Sequence, residues 1–231
     1  MSSISSKRLE SSKDLLHIYN KLLGCYGKQH WWPADTRDEI IIGAILTQNT
    51  RWHNVSKAIV NLKENHLCSL TALAEEDSKL IADLIKPAGY YNVKAARLQN
   101  IARLLKEWQP SKLEIGEARK FLLSLKGIGP ETADSILLYA YDIPSFVIDT
   151  YTIRLFSRVI LLPEKKNYSF YQEFFMENLD RDPVIYNEYH ALIVQHAKSR
   201  CQKVPLCDQC PLSQLCLFPA ENKKKQSDYL K

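Results

Sequence analysis

Four cysteines crowd into one short stretch near the end of the chain, and their thiols are the side chains best suited to bind a metal centre. Four thiolates complete the coordination of a zinc ion or of a four-iron cluster. Structural zinc sites pair two C-x2-C hooks, whereas this stretch contains one. The spacing therefore favours an iron–sulfur centre, with zinc and disulfides as the alternatives. The four residues, spaced C-x5-C-x2-C-x5-C, are Cys201, Cys207, Cys210 and Cys216.

A glycine-rich turn joins two apolar segments in the middle of the chain, where residues 125–133 read Leu-Lys-Gly-Ile-Gly-Pro-Glu-Thr-Ala. Gly127 and Gly129 can take positive φ and let the backbone approach a ligand. The amides that follow open a helix, whose dipole favours an anion such as a phosphodiester. A simple tight turn is the alternative interpretation.

A lone carboxylate, Asp149, ends the apolar connector Pro-Ser-Phe-Val-Ile at the start of another helical segment. An aspartate in that position can cap the helix through its side-chain oxygen. The same position also allows a carboxylate to act on a substrate, and the two roles are compatible.

The segments that must position these residues have the helical period almost throughout. Leu98, Ile101, Leu105 and Trp108 form one apolar stripe at helical spacing. Thr36 and Glu39 have the spacing of a capping box. Because strand-like alternation is nearly absent, the predicted fold class is all-α. The predicted helices are 40–46, 55–64, 78–85, 92–108, 115–125, 130–141, 150–162, 169–179 and 187–198.

Bulk composition narrows the functional class. The 231 residues are 45% hydrophobic and 25% charged, with a net charge of +5, which permits a polyanionic partner. The N-terminal residues contain no apolar stretch of the kind that a secretory signal has, and no run approaches membrane-spanning length. We therefore expect a cytoplasmic protein without a membrane partner, in a reducing compartment that suits thiolate–metal ligation.

Taken in order, the glycine turn, Asp149 and the four cysteines resemble the helix-hairpin-helix (HhH-GPD) DNA glycosylase superfamily, in its endonuclease III-like form with a [4Fe-4S] cluster. The resemblance spans roughly residues 35–216. It implies two helical domains with a DNA-binding cleft between them. Residues 35–140 would form a six-helix barrel with the helix-hairpin-helix, and residues 1–34 and 141–231 would form the iron–sulfur cluster domain. The four cysteines would ligate the cluster and place a basic loop containing Lys203 on DNA.

Two positions depart from the family pattern. The first two cysteines are separated by five residues, where such members usually have six. Bifunctional members carry a lysine two residues after the second hairpin glycine, and Glu131 stands there. A carboxylate cannot form the imine that strand cleavage requires, so the resemblance implies a monofunctional glycosylase. Lys126 is the alternative nucleophile, although phosphate contact is its expected role.

Within the resemblance Asp149 carries the chemistry. Cleavage of an N-glycosidic bond develops oxocarbenium charge on the sugar, as in O-glycoside hydrolysis. A carboxylate can stabilise that charge and orient a water toward C1′.

A cluster of tryptophans identifies the expected base. Tryptophans at a helix entrance often plug a core, but their faces also hold flipped bases and attract cations. The pattern WWP…TQNT-x-W, together with KGIG-x-E, is similar to the 3-methyladenine DNA glycosylase branch. That similarity implies a pocket for alkylated purines, lined by Trp31, Trp32, Pro33 and Trp52.

The same resemblance implies the DNA contacts. Gln48 would wedge into the duplex where the base has left. Lys94, in a second short turn at residues 89–95, would approach the DNA backbone, and a monovalent cation at the hairpin is a second candidate cofactor. We read His190 and His196, six positions apart on one helix, as surface or capping groups. The full set of expected DNA contacts is Gln48, Asn49, Lys126, Gly127, Gly129, Thr132 and Lys203.

The expected partner is double-stranded DNA with a damaged base, bound by a monomer. Two rival functions stay open. One is a glycosylase for a mispaired or oxidised base. The other is a non-catalytic iron–sulfur protein that binds DNA and senses redox state.

Overall fold

The computed structural model describes residues 11–160 and 162–218. In that part of the chain the regular structure is helical and no strand occurs, which confirms the all-α prediction. No helix there is both long and apolar enough to cross a membrane. The α-helices are α1 (Ser11–Tyr26), α2 (Arg37–Leu46), α3 (Trp52–Glu64), α4 (Leu70–Glu75), α5 (Ser78–Leu84), α6 (Tyr91–Leu105), α7 (Ile115–Ser124), α8 (Pro130–Ser135), α9 (Thr150–Val159), α10 (Tyr168–Asn178) and α11 (Pro183–Ser199). Short 3-10 turns cover Lys86–Ala88 and Pro110–Lys112.

The chain divides into two compact units. The middle unit comprises Trp32–Ser145, against a predicted domain of 35–140. The terminal unit comprises Met1–Trp31 and Phe146–Lys231. Residues 1–10 and 219–231, which belong to the second predicted domain, lie outside the described residues.

The middle unit is built around α2 and α6. Ile41, Ile42, Ile45 and Leu46 are all fully buried, because α2 packs against α3, α6, α8 and the segment that follows α8. A helix that is apolar on nearly every side belongs inside a core. Leu98, Ile101 and Leu105 of the predicted stripe are buried where α6 packs against α4 and α5. These contacts fix the loop after α2 and the hairpin after α7 in one body. Trp108, the fourth member of the stripe, lies beyond the end of α6 and is half-buried, so the predicted helix over 92–108 extends too far.

The terminal unit has an aromatic core. The rings of Phe146 and Phe175 stack at 4.1 Å, and Tyr186 and Tyr189 meet Phe146 edge to face. Such pairs add about 0.5–1.5 kcal/mol beyond the area that they bury. The core joins the connector before α9 to α10 and α11, so it fixes the backbone on which Asp149 sits.

Helix caps explain most of the boundaries. Thr36 Oγ1 accepts from the Glu39 amide, which confirms half of the capping box. In the other half of a capping box Glu39 would accept from the Thr36 amide. Here Glu39 Oε2 accepts from the Asp35 amide, one residue earlier. α11 begins at Pro183, earlier than the predicted 187, since Asp182 caps it. Proline in the first turn reinforces that start.

The segment predicted as one helix over 130–141 changes its winding. α8 ends at Ser135, and a π-helix follows over Ile136–Ala140. π-Helical turns are rare and concentrate at functional sites. The prediction of a continuous α-helix there is wrong in winding, though right in being helical.

Candidate functional site

Asp149 is the N-cap of α9, and one of its carboxylate oxygens is fully engaged in that role. Oδ1 accepts from the Thr152 amide at 2.7 Å and from Thr152 Oγ1 at 2.9 Å. Oδ2 faces His190 Nε2 at 3.6 Å. The side chain of Asp149 is 13% exposed, so the carboxylate is largely shielded from water.

The surroundings keep this carboxylate ionised. Burial by itself raises the pKa of Asp149. The contact with His190 and the two hydrogen bonds from Thr152 act in the opposite direction and outweigh burial, so the pKa lies below the ordinary value for aspartate. At neutral pH the site therefore presents a negative charge with a fixed orientation.

The two histidines of α11 are not surface groups, so that expectation is wrong. His190 is 5% exposed and His196 is 1% exposed. His196 Nδ1 lies 2.8 Å from the Tyr26 hydroxyl, and burial lowers the pKa of His196 to about 4. Residues six positions apart do not share a face of a helix. Both rings are nevertheless buried, because α11 packs against both α1 and α9.

The four clustered cysteines line a single cavity in the terminal unit. Its wall is completed by apolar side chains and by Arg158, His196 and Arg200. Arg158 Nη1 donates toward Cys201 Sγ at 3.4 Å. No disulfide joins any of the six cysteines, all of which lie in the described part of the chain, so the four clustered thiols are not consumed by disulfide bonds.

The thiols of this cavity influence one another. Burial raises the pKa of the Cys210 thiol, and negative charge on Cys201, Cys207 and Cys216 raises it further. The effect arises because four thiols lie close together, so that negative charge on one disfavours ionisation of the others. A positively charged metal centre would favour the thiolate form instead and displace the protons. The donor set and its apolar lining therefore fit a cluster with four thiolate ligands. Among the described residues, no three His, Cys, Asp or Glu side chains converge tightly enough to hold a single metal ion.

In the hairpin, one glycine is required for backbone geometry and the other is not. Gly127 has φ +94°, a left-handed conformation that side chains rarely adopt. A Cβ there would also overlap the Arg97 side chain. Gly129 has φ −95° and ψ 176°, and open space lies where its Cβ would be. The expectation that both glycines take positive φ therefore holds for Gly127 alone.

Both ends of the Gln48 amide are engaged inside the middle unit. Nε2 donates to the Gly127 carbonyl and to Thr132 Oγ1, each at 3.0 Å. Oε1 accepts from Arg97 Nη1 at 2.5 Å. The proposed wedge residue is thus held against the hairpin in this state of the protein, and Thr132, which is buried, helps to hold it.

The remaining candidate DNA contacts are exposed. Asn49 follows Gln48 with φ +56° and turns outward. Lys126 is exposed at the hairpin, and Lys203 is exposed in the cysteine loop, where its carbonyl accepts from Arg158 Nη2. Exposed amide and ammonium groups at such turns suit contact with phosphates.

An aromatic cluster in the middle unit contains two of the predicted pocket residues, Trp32 and Trp52. The Trp32 ring lies 5.1 Å from Trp52, edge to face, and 5.2 Å from Tyr139. Gly43 lets the Trp32 indole lie against α2, because an added Cβ would approach its Nε1 to 3.3 Å. Pro33 is exposed beside this cluster. Trp31 is half-buried and belongs to the terminal unit.

Lys94 does not reach outward, which corrects the expectation that it approaches DNA. It is 3% exposed, and its Nζ donates to the carbonyls of Leu46 and Ala88 at 2.8 and 2.9 Å. Burial and the nearby charge of Arg97 lower the pKa of Lys94. The side chain joins the end of α2 to the turn before α6, so its role is structural.

Sequence reasoning missed three residues of these sites: His190, Arg97 and Tyr139. Each belongs to a helix remote in sequence from its partner, so no local spacing pairs them. The sequence does show that Tyr139 is an aromatic residue on the segment after the hairpin. It does not show the π-helical turn that carries this residue, because that turn has no sequence signature of its own.

Comparison with known proteins agrees with this arrangement. The model of the HhH-GPD superfamily base excision DNA repair protein matches residues 42–181. A curated protein of Methanocaldococcus jannaschii, named "Putative DNA repair glycosylase", is 49% identical over 207 residues, covering 87% of this chain and 94% of its own. Endonuclease III of Sulfolobus acidocaldarius is 28% identical over 188 residues, covering 80% and 83%.

Solved structures show the same architecture. The Helicobacter pylori 3-methyladenine DNA glycosylase MagIII, bound to 1,N6-ethenoadenine, matches with a TM-score of 0.69 and 30% identity, over 82% of this chain and 98% of that one. A non-covalent endonuclease III–DNA complex matches in fold with a TM-score of 0.76 and 19% identity, over 94% and 98%. The matched family model and the extent of these likenesses lead to one conclusion: the chain belongs to the HhH-GPD superfamily of base excision DNA repair proteins.

Proposed function

We propose that the protein is a monofunctional DNA glycosylase that hydrolyses the N-glycosidic bond of flipped-out alkylated purines. The observation that carries this proposal is the state of Asp149. It is shielded and ionised, and it is anchored through one oxygen by Thr152. A fixed anion is what a reaction that develops positive charge on a sugar needs.

The carboxylate would act at the anomeric carbon. As the bond to the base breaks, positive charge grows on the deoxyribose ring, and Asp149 would stabilise it electrostatically. The ionised carboxylate would also orient the attacking water and accept its proton. Because Oδ1 is already taken by Thr152, Oδ2 is the oxygen assigned to this task.

Glu131 supports hydrolysis without strand cleavage. It occupies the second position of α8, directly after the hairpin. Bifunctional members of this superfamily carry a lysine at the corresponding position. A carboxylate cannot form a Schiff base with the sugar. Lys126 precedes the hairpin glycines and is exposed, so phosphate contact is the role proposed for it.

The aromatic cluster supports a cationic base. The rings of Trp32 and Trp52 meet edge to face and are half-buried, so part of each indole is exposed for stacking, and Tyr139 packs against Trp32. Attraction between an indole face and a cation contributes about 0.5–2 kcal/mol. A purine alkylated at N3 or N7 carries positive charge and leaves without much acid catalysis. The 30% identical H. pylori glycosylase is named for 3-methyladenine, which agrees with this class of substrate.

The DNA partner would be held through exposed backbone and cationic groups. We assign Lys126, Gly127 and Gly129 of the hairpin to one phosphate segment, with a monovalent cation as an additional ligand there. Gln48 and Asn49 would contact the opened base pair, and Lys203 would reach the duplex from the cysteine loop. We propose that the protein does this as a monomer.

The four clustered cysteines would hold a [4Fe-4S] cluster. Such a cluster supplies a rigid cross-link among its ligands and, in principle, a one-electron couple. For this chain the proposed contribution is structural, because Arg158 binds the cysteine loop through Cys201 Sγ and the Gln202 and Lys203 carbonyls. Iron and sulfide analysis of the purified protein tests the assignment against zinc.

The test of function is mass-spectrometric identification of the bases released from methylated duplex DNA. Wild type should release 3-methyladenine or 7-methylguanine, whereas Asp149→Asn should bind the same duplex and release neither. Borohydride should trap no covalent adduct. Release of only uracil, thymine or oxidised bases would contradict the alkylated-purine assignment, and a trapped adduct would contradict hydrolysis without lyase chemistry. DNA binding without release of any base would favour the non-catalytic function.

A further inference from the structure

We propose that His190 is a positioning residue for base release, holding the second carboxylate oxygen of Asp149 in a fixed orientation. This inference rests on the proposed function, because it assigns a partner to the carboxylate that the proposed function uses. His190 would act through Asp149 and would not itself touch the substrate.

The division of labour between the two oxygens is the first support. Thr152 occupies Oδ1 with two hydrogen bonds, which is the whole requirement of a helix N-cap. The hydrogen bonds to Oδ1 limit rotation of the carboxylate group, but they provide no contact for Oδ2 itself. His190 Nε2, 3.6 Å from Oδ2, stands at the open side and restricts that rotation.

The setting of His190 is the second support. It lies in the middle of α11, and the residues around it, Tyr186, Tyr189 and Leu192 among them, are buried. An imidazole costs more to bury there than an aliphatic side chain of similar volume would, unless polar partners compensate. The carboxylate of Asp149 is such a partner, because its negative charge lies at the imidazole nitrogen.

The length of the contact is informative as well. At 3.6 Å it falls within ion-pair range but exceeds the 2.7–2.9 Å of a full charge-assisted hydrogen bond. Contacts of this kind in ligand-free enzymes commonly tighten when the reacting complex forms. The geometry therefore describes an electrostatic support that can shorten as charge develops on the substrate.

Other titratable groups near α11 have different partners. α11 packs against α1 and α9. From α1, Tyr19 meets Tyr189 and Tyr26 bonds to His196. From α9, Arg154 donates to the carbonyls of Ala197 and Cys201. At the Asp149 carboxyl itself, the groups that lower its pKa are His190 and Thr152.

The experiment compares His190→Leu, which removes the ring nitrogen, with His190→Gln, which keeps a neutral amide donor. The first readout is the carboxyl titration of Asp149, followed by 13C NMR on the free protein. Burial remains in both variants, so the pKa of Asp149 should rise in His190→Leu and should rise less in His190→Gln. Thermal unfolding identifies a variant that has lost its fold, in which case His190→Gln alone carries the test.

The second readout is the single-turnover rate of base release from methylated DNA against pH. In His190→Leu the acidic limb of the profile should move to higher pH by the same amount, and the plateau should fall about tenfold or more. DNA affinity should stay within about twofold. A purely structural role would lower the folded fraction without displacing the acidic limb.

The two readouts separate the two proposals. Unchanged Asp149 titration and an unchanged acidic limb in both variants, with active wild type, would overturn the role of His190. A displaced titration in a wild-type protein that releases no base would overturn the proposed function and leave the His190–Asp149 coupling established.

Discussion

Arg97 and Gln48 are joined by a hydrogen bond of 2.5 Å from the guanidinium to the side-chain carbonyl, and the same guanidinium overlies Gly127. Gln48 completes the set by donating to the Gly127 carbonyl and to Thr132. α6, the loop after α2 and the hairpin are therefore linked by a few side-chain atoms. This network brings a hairpin residue and a loop residue separated by 79 positions into direct contact.

Gly127→Ala should destabilise the protein by about 1–3 kcal/mol, because alanine at φ +94° is strained and its Cβ meets Arg97. The matched control is Gly129→Ala, whose backbone is extended and whose Cβ would enter open space. Urea unfolding measures both. Equal effects of the two substitutions would show that the left-handed turn is not the cause.

Gln48→Ala and Arg97→Ala should not be additive. Each breaks the same hydrogen bond, so the double variant should lose less stability than the sum of the single variants, with a coupling of about 0.5–3 kcal/mol. A double-mutant cycle by urea unfolding measures it. Coupling within experimental error of zero would mean that the contact contributes nothing in solution.

Asp149→Asn should separate catalysis from capping. Asparagine caps a helix about as well as aspartate, so the free energy of unfolding should change by less than about 1 kcal/mol. Base release should fall at least about a hundredfold, since the charge is lost. Asp149→Ala is the companion variant, and it should also lose about 1 kcal/mol of stability with its cap. Retained activity in Asp149→Asn would remove the carboxylate from the mechanism.

Lys94→Met should cost about 1–3 kcal/mol, because the buried carbonyls of Leu46 and Ala88 lose their donor. The cost should also depend on pH. Burial lowers the folded-state pKa of Lys94, so the unfolded chain retains its proton to higher pH than the folded protein does. Stability contributed by wild-type Lys94 should therefore increase as pH rises from its folded-state pKa toward 10.5.

Denaturant unfolding of wild type and Lys94→Met at a series of alkaline pH values measures this difference. A gap between the two proteins that narrows as the pH rises would contradict the assigned direction of the pKa.

Local sequence signals account for much of the helical framework. The caps at Thr36 and Asp149 are encoded by neighbouring residues, and the structure confirms both. The stripe on α6 is confirmed for Leu98, Ile101 and Leu105, whereas Trp108 lies beyond the helix. The early start of α11 was also readable, because Asp182 followed by proline is a helix-start signal that the apolar period alone does not reveal. Periodicity predicts that a helix exists more reliably than it predicts where the helix begins.

What could not be read locally is which remote side chains meet. His190 approaches Asp149, and Arg97 approaches Gln48, only because their helices pack together. The π-helical turn that carries Tyr139 depends on packing against α2, which no short spacing encodes. Asp149 shows the difference: its partner Thr152 is close in sequence, whereas its partner His190 is brought near only by tertiary packing.

Helix α9 connects the Asp149 carboxylate at its N-terminus to the cysteine loop near its C-terminus. Near its N-terminus Thr152 holds the carboxylate of Asp149, while Arg154 in the middle of α9 and Arg158 near its C-terminus donate to carbonyls of the cysteine loop. Ten residues of helix span about 15 Å, so one continuous helix connects the cysteine loop to the Asp149 carboxylate. Under the proposed function, oxidation of the clustered thiols would therefore lower base release by way of α9, and a screen that scores base release alone would not distinguish it from a substitution of Asp149.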